Sequence, residues 1–134
     1  MTLFNPGGLN FLIVDDSRSM RTVIKNLLIA TGISIGYLYE ADNGINALNI
    51  IRKENLDLII TDLNMPIMGG LDLLIKINND AELKSKQIPA IVVSTEGSQD
   101  SVITAIKNGA KGYIRKPFDK DKLSELVQKV TKKN

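Results

Sequence analysis

Acidic, hydroxyl and amino side chains recur in this sequence at one kind of place, just beyond a short apolar run. Asp15-Asp16 follow Phe11-Leu12-Ile13-Val14, Asp62 comes soon after Leu58-Ile59-Ile60, Ser94-Thr95 follow Ala90-Ile91-Val92-Val93, and Lys116 lies just past Tyr113-Ile114. If the first and third of these runs are neighbours in a sheet, three carboxylates converge with a hydroxyl and an ammonium. Like charges about 4 Å apart repel by about 4 kcal/mol at an effective dielectric of 20. Either a carboxylate takes a proton or a cation binds. A hard cation, Mg²⁺ or Mn²⁺, suits such oxygen ligands, because Mg²⁺ needs few direct carboxylates and completes its shell with water and phosphate oxygens. A carboxylate can also act as a phosphoryl nucleophile. Phosphoryl transfer asks chiefly for in-line positioning and for positive charge at the equatorial oxygens. A metal on one side and Lys116 on the other supply that charge, Ser94 offers a neutral hydroxyl, and Asp62 becomes a metal-assisted phosphoryl acceptor.

Taken singly, each residue has a plainer explanation. Asp15-Asp16 before Ser17 suit a helix N-terminus, and Asp62 in Asp-Leu-Asn-Met-Pro suits an Asx-turn. Ser94 to Ser98 suit a helix cap, Lys116-Pro117 a strand exit, and Tyr113 a half-buried edge residue with a wet hydroxyl. Independent caps and turns give no reason for acids on two strands, a hydroxyl on another and a lysine on the last to meet at one edge. Their joint placement favours the chemical reading.

The elements that must position these groups show in the hydrophobic period. From Phe11 to Val130 short apolar runs alternate with helical stripes. The runs are Phe11 to Val14, Tyr37-Leu38-Tyr39, Leu58 to Ile60, Ala90 to Val93 and Tyr113-Ile114, and the most apolar suit strands covered on both faces. Met20, Val23, Ile24, Leu27 and Leu28 follow the i, i+3, i+4 rule, as do Leu123, Leu126, Val127 and Val130. Weaker stripes lie at Ala47-Leu48-Ile51, Leu71-Leu74-Ile75 and Val102-Ala105-Ile106. Breakers fall between them at Gly32, Gly36, Pro66 with Gly69-Gly70, Pro89, Gly109 with Gly112, and Pro117. The expectation is a doubly wound α/β fold of five parallel strands and five helices with right-handed crossovers, whose ligands bind at the carboxyl ends of the strands. Residues 10–132 form this domain, and residues 1–9, with Asn5-Pro6-Gly7-Gly8, read as a loose extension.

Composition narrows the function classes. The 134 residues hold neither His nor Cys, which excludes disulfides, Cys/His zinc sites and histidine acid–base catalysis. Hydrophobic residues make up 43% and charged residues 24%, with a formal net charge of +2, the balance of an ordinary globular domain without a nucleic-acid footprint. The small basic cluster Lys129 to Lys133 suits the solvated face of a last helix. No apolar run is long enough to span a bilayer and no signal-peptide pattern opens the chain, so a cytoplasmic location without membrane partners is expected.

At these same residues the sequence resembles the response-regulator receiver domains, over about Asn10 to Lys132. Val14-Asp15-Asp16, Asp62-Leu-Asn-Met-Pro66 with Gly69-Gly70, Ser94-Thr95-Glu96, and Gly109-Ala-Lys-Gly-Tyr113 through Lys116-Pro117-Phe118 match in order and spacing. Within the family it is most similar to the single-domain chemotaxis regulators, on Asp-Asp-Ser-Arg-Ser-Met-Arg21 and Asp62 to Pro66. The resemblance implies a flavodoxin-like (βα)5 fold with strand order 2-1-3-4-5. It implies that Asp62 takes a phosphoryl group from a phosphohistidine on a sensor kinase. Asp16, Asp62 and the backbone carbonyl of Asn64 would bind Mg²⁺ directly, and Asp15 through water. Lys116 would contact the phosphoryl group beside a cis Lys116-Pro117 bond. Ser94 would move towards the phosphate and Tyr113 would turn inward, altering the face made by the fourth helix, fifth strand and fifth helix. Thr95 is a rival hydroxyl, though counting back from Lys116 favours Ser94; Glu96 and Pro117 are modulating positions.

The function expected is that of a stand-alone response regulator, monomeric, that signals by docking to a flagellar motor switch protein or to a histidine phosphotransfer domain. A phosphatase partner and self-dephosphorylation would reset it. Two other classes fit less well. An aspartyl-nucleophile phosphatase of the haloacid dehalogenase type needs Asp-x-Asp, where Asp62-Leu63-Asn64 supplies Asn. A flavodoxin-like cofactor carrier needs a hydroxyl- and glycine-rich phosphate loop after the first strand, which is missing.

Overall fold

The computed structural model describes residues 2–95 and 98–131. The strands are β1 (Thr2–Leu3), β2 (Leu9–Val14), β3 (Ile35–Ala41), β4 (Leu58–Thr61), β5 (Ala90–Ser94) and β6 (Ala110–Arg115). The helices are α1 (Arg18–Ala30), α2 (Gly44–Lys53), α3 (Gly70–Asn79), α4 (Ala81–Ser85), α5 (Gln99–Lys107) and α6 (Lys120–Thr131). One sheet forms in the order β1-β3-β2-β4-β5-β6, parallel from β3 to β6. Apart from β1, this is the five-stranded order 2-1-3-4-5 that the resemblance implies.

The central runs are apolar throughout because both faces are covered. Leu12, Val14, Ile59, Ala90 and Val92 pack on one side with Ala47, Leu48 and Ile51 of α2, Leu73 and Leu74 of α3 and Ala105 of α5. Phe11, Ile13, Leu58, Ile60, Ile91 and Val93 pack on the other with Ile24 and Leu28 of α1 and Leu123 and Val127 of α6. Successive residues of a strand point to opposite faces, so a continuous apolar run feeds two half-cores.

Two elements go beyond the sequence expectation. The N-terminal residues are tied to the sheet: β1 pairs antiparallel with β3, Thr2 opposite Leu38 and Leu3 opposite Tyr37. The Phe4 amide then donates to Gly36 O at 2.9 Å, and Asn5 Nδ2 to Ser34 Oγ at 2.7 Å. The glycines mark a close backbone approach: a Cβ on Gly8 would lie 2.5 Å from the Ile35 carbonyl carbon, and one on Gly36 2.7 Å from Gly8 O. A short edge strand of this kind covers part of an otherwise open sheet edge.

The second addition is α4, which makes the helices six among the described residues and not five. Its five residues bury one apolar side chain, Leu83, too few for a periodic signal. Asp80 starts it, accepting from the Leu83 amide at 3.2 Å and from Arg52 Nη2 at 3.3 Å. The Leu83 amide, with Arg52 behind it, holds the Asp80 carboxyl below its usual value of 3.8. A depressed folded-state pKa contributes stability above the unfolded value, and that contribution disappears as pH falls through the folded one. Asp80→Ala is therefore expected to lower the thermal midpoint at neutral pH, with the two melting curves converging as the pH is taken below 3.8.

No helix among the described residues is long and apolar enough to cross a membrane. Of the basic cluster, Lys129 is an exposed residue of α6, while Lys132 and Lys133 lie outside the described residues.

Candidate functional site

Strand register brings the chemical groups level. Val14 of β2 sits opposite Thr61 of β4, so Asp15 and Asp62, each one residue further on, emerge side by side. Backbone bonds carry the sheet through these first residues beyond it: the Asp62 amide donates to Val14 O at 2.9 Å and the Asp15 amide to Ala41 O at 3.1 Å. Across the sheet Ser94 is level with Arg115, and the Lys116 amide donates to Ser94 O at 2.8 Å. The four strand ends thus face one crevice.

Carboxylate oxygens of Asp15, Asp16 and Asp62 lie within 4.8 Å of one another. Asp15 is buried, Asp62 half-buried and Asp16 exposed. Lys116 reaches in from β6, with Nζ 2.8 Å from Asp15 Oδ2 and 3.5 Å from Asp62 Oδ2. The remaining oxygens are partly engaged: Asp15 Oδ1 accepts from the Ser17 amide at 2.9 Å, and Asp62 Oδ1 from the Leu63 amide at 2.8 Å. Ser17, and not either aspartate, is the N-cap of α1, its hydroxyl accepting from the Met20 amide at 3.2 Å. Asp15 and Asp16 are thereby left facing the crevice.

Burial pushes the Asp62 carboxyl above its usual value; the Lys116 ammonium pulls it back, Asp15 pushes it up, and the Leu63 and Asn64 amides lower it, with burial prevailing. One ammonium shared between two carboxylates therefore leaves ionised Asp62 short of positive charge. A hard divalent cation fits that deficit and the all-oxygen donor set.

The other expected residues are placed as follows. Ser94 is fully buried at the end of β5, on the same face as Val92, whereas Thr95 is exposed. Tyr113 is half-buried, level with Val92 and packed against the cluster beneath α5. Asn64 is exposed on the loop after Asp62, and the Lys116-Pro117 peptide is cis. Glu96 lies outside the described residues.

Residues that the sequence did not single out also shape the crevice. Arg21, noted only within a motif, donates from Nη1 to the backbone oxygen of Asp15 at 2.7 Å and from Nε to Glu40 Oε1 at 2.9 Å. It clamps the turn carrying the two acids to the end of β3. Thr61, also fully buried, donates its hydroxyl to the backbone oxygen of Asp62 at 2.9 Å. Gly70 opens α3 against Asp62 so closely that a Cβ there would collide with the Asp62 carbonyl oxygen. That contact gives the Gly69-Gly70 pair its physical meaning.

Residues 11–128 match the response regulator receiver domain family. This chain belongs to that family. The receiver is 40% identical over 122 residues to the chemotaxis protein CheY of Pseudomonas aeruginosa, covering 91% of this chain and 95% of that protein. It is 42% identical over 123 residues to a CheY homolog of Campylobacter jejuni, covering 91% and 92%. Among solved structures it resembles chemotaxis protein CheY4 of Vibrio cholerae, with a TM-score of 0.79 at 30% identity over 92% of this chain and 99% of that one.

Proposed function

We propose that this receiver is switched by phosphorylation of Asp62 and passes the signal on by docking to a partner. The observation that carries the reading is the position of Lys116 Nζ, 2.8 Å from Asp15 and 3.5 Å from Asp62 at the mouth of a three-carboxylate crevice. An Asp62 oxygen attacks the phosphorus of a phosphohistidine on a sensor kinase. As that P–O bond forms the P–N bond breaks, and its electron pair returns to the ring nitrogen. Lys116 turns from Asp62 to the incoming phosphoryl oxygens and keeps its bond to Asp15. Ser94 supplies a hydroxyl from the neighbouring strand end, with Thr95 one residue further out. Movement of Ser94 would let Tyr113 repack against α5, which is how the state of the crevice reaches the surface.

Asp15, Asp16, Asp62 and the backbone carbonyl of Asn64 are the groups that would hold Mg²⁺. When bound, the ion supplies positive charge at the phosphoryl oxygens opposite Lys116. The relatives named as chemotaxis proteins support a role in chemotaxis, with a sensor histidine kinase as donor and a motor switch protein as the partner that reads the phosphorylated form. Glu96 and Pro117, next to Thr95 and Lys116 in the sequence, would tune how long the acyl phosphate lasts.

Incubating the protein with Mg²⁺ and acetyl phosphate, then trapping the acyl phosphate with borohydride, is expected to place the modification on Asp62 and to require the metal. Modification elsewhere, or none, would sink the reading. Mg²⁺ with beryllofluoride should shift amide signals around Asp62, Ser94 and Tyr113 in the wild-type protein but not in Asp62→Ala.

A further inference from the structure

The loop after Asp62 contains an apolar run, Met65-Pro66-Ile67-Met68, whose members go opposite ways. Met65 and Met68 are half-buried and pack against the cluster under α2 and α3. Ile67 between them is 82% exposed, far above Leu3 at 48%, the next large apolar side chain among the described residues. Its backbone is unusual too, with φ at 68° and the Met68 amide donating to Pro66 O at 2.7 Å. That is a γ-turn of the positive-φ kind, the rarer and strained form. A β-branched residue is poorly suited to it, since Cβ crowds the backbone where glycine or asparagine would not.

Two unfavourable features thus coincide, strain and an apolar side chain in water; the turn seats Met65 and Met68, but the isoleucine between them adds nothing to the packing. A scattered exposed isoleucine needs no explanation. One held outward by a strained turn, five residues beyond the carboxylate that takes the phosphoryl group, does. The turn is also anchored: the Gly44 amide donates to Met68 O at 2.8 Å, and Gly44 lies so close that a Cβ would meet Met68 Cγ at 2.5 Å. Ile45, 43% exposed, sits next to that bond at the start of α2. Ile67, in the loop that follows Asp62, therefore makes an apolar lip beside the acidic crevice.

Resting on the reading of Asp62 as phosphoryl acceptor, we propose that Ile67 is an apolar anchor for the phosphohistidine-bearing donor. Whatever delivers the phosphoryl group must bring phosphorus to bonding distance of Asp62, so its surface beside the histidine has to close over this rim. A partner that only reads the phosphorylated form is under no such constraint. The chemistry asks for the contact as well, because Lys116 and the metal engage only the phosphoryl group, which leaves with the transfer, and hold nothing of the protein that carries it. Affinity has to come from beside the crevice, and a desolvated apolar side chain at the centre of a small interface supplies it. The partner is accordingly a histidine-bearing surface with an apolar patch beside the modified ring.

The test uses the full chain with Ile67→Asn, which relaxes the turn and removes the apolar contact, and Ile67→Leu, which keeps the contact without the β-branch. Two donors are compared: acetyl phosphate with Mg²⁺, and the autophosphorylated kinase that labels the wild-type protein fastest in a profile of the source organism's histidine kinases. Ile67→Asn is expected to slow transfer from the kinase about tenfold while labelling by acetyl phosphate stays within about twofold, and Ile67→Leu to stay within about twofold on both. The Ile67→Asn protein should also melt a few degrees higher, roughly the scale of one relieved turn in a chain of this size. Wild-type speed from the kinase in Ile67→Asn overturns the proposal and leaves the lip to whatever reads the phosphorylated form. Equal slowing with both donors overturns it too, since Ile67 would then act through the crevice. No label on the wild-type protein from either donor overturns the reading of Asp62 and this proposal with it.

Discussion

Asp62→Asn is expected to abolish phosphoryl acceptance from every donor and, in the absence of divalent metal, to make the protein more stable. Asparagine keeps the size and an oxygen for the Leu63 amide but has no nucleophilic carboxylate. The gain in stability comes from the crevice. Burial and the nearby Asp15 raise the Asp62 carboxyl above its usual value, and Lys116 with two backbone amides only partly offsets them. A carboxyl whose folded pKa is raised stabilises the fold when protonated, and that contribution is lost as pH rises from the unfolded value of 3.8 through the folded one. At neutral pH the wild-type protein has lost it, whereas the amide never ionises. A gain of about 1 kcal/mol in urea unfolding is the scale to expect for relieving one such site. Two further measurements carry the sign. The difference should shrink as the pH is lowered towards the unfolded value of 3.8, because wild-type Asp62 regains its proton on the way. Saturating Mg²⁺ should reverse the order, because a ligand at 100 times its dissociation constant adds about 2.7 kcal/mol to the state that binds it, and the amide has one anionic ligand fewer. A variant less stable than wild type at pH 7 without metal would contradict this account of the crevice.

What the sequence disclosed follows from how each element is stabilised. Phe11 to Val14, Leu58 to Ile60 and Ala90 to Val93 were legible because strands buried on both faces must be apolar at every position. The paired stripe of α6 was legible for the matching reason, with Leu123 and Val127 fully buried. The stripe of α5 promised more than it delivers: of Val102, Ala105 and Ile106 only Ala105 is buried, and Ile106 is about half exposed. β1 and α4 escaped because two residues of strand and five of helix are too short to repeat a period. Gly7-Gly8 then suggested looseness and Gly36 a break, where Gly8 and Gly36 in fact permit a close backbone contact. At the site, the convergence of Asp15, Asp16, Asp62 and Lys116 could be read from strand ends alone, since register makes neighbouring ends meet. The clamp by Arg21 could not, because its partners are a backbone oxygen and the side chain of Glu40 at the end of another strand. Nor could the turn at Ile67, where the conformation runs against the preference of the residue that adopts it.

Lys116→Met should separate the two tasks that the ammonium performs. Methionine keeps much of the length of the lysine stem, so packing is largely preserved, but Asp15 loses a partner at 2.8 Å. Asp15 is 2% exposed and the Lys116 side chain 9%, and removing one member of so buried a pair costs about 3 kcal/mol through the charge left behind. The loss is expected at neutral pH without metal, read from urea unfolding. It should diminish as the pH falls and Asp62 takes up its proton, because a neutral Asp62 no longer repels the unpaired Asp15 carboxylate. Mg²⁺ should also narrow the gap. With one positive charge fewer beside the carboxylates the variant binds the ion more tightly, by about tenfold for each 1.4 kcal/mol of added attraction. Labelling by acetyl phosphate should still occur on Asp62 but leave the docking face as in the unmodified protein, because nothing then ties the phosphoryl group to β6. Lys116→Arg tests the last step, since it keeps the charge and changes the shape: stability should largely return while the response of Tyr113 does not. A destabilisation indifferent to both pH and Mg²⁺ would show that the lysine matters here for packing and not for charge.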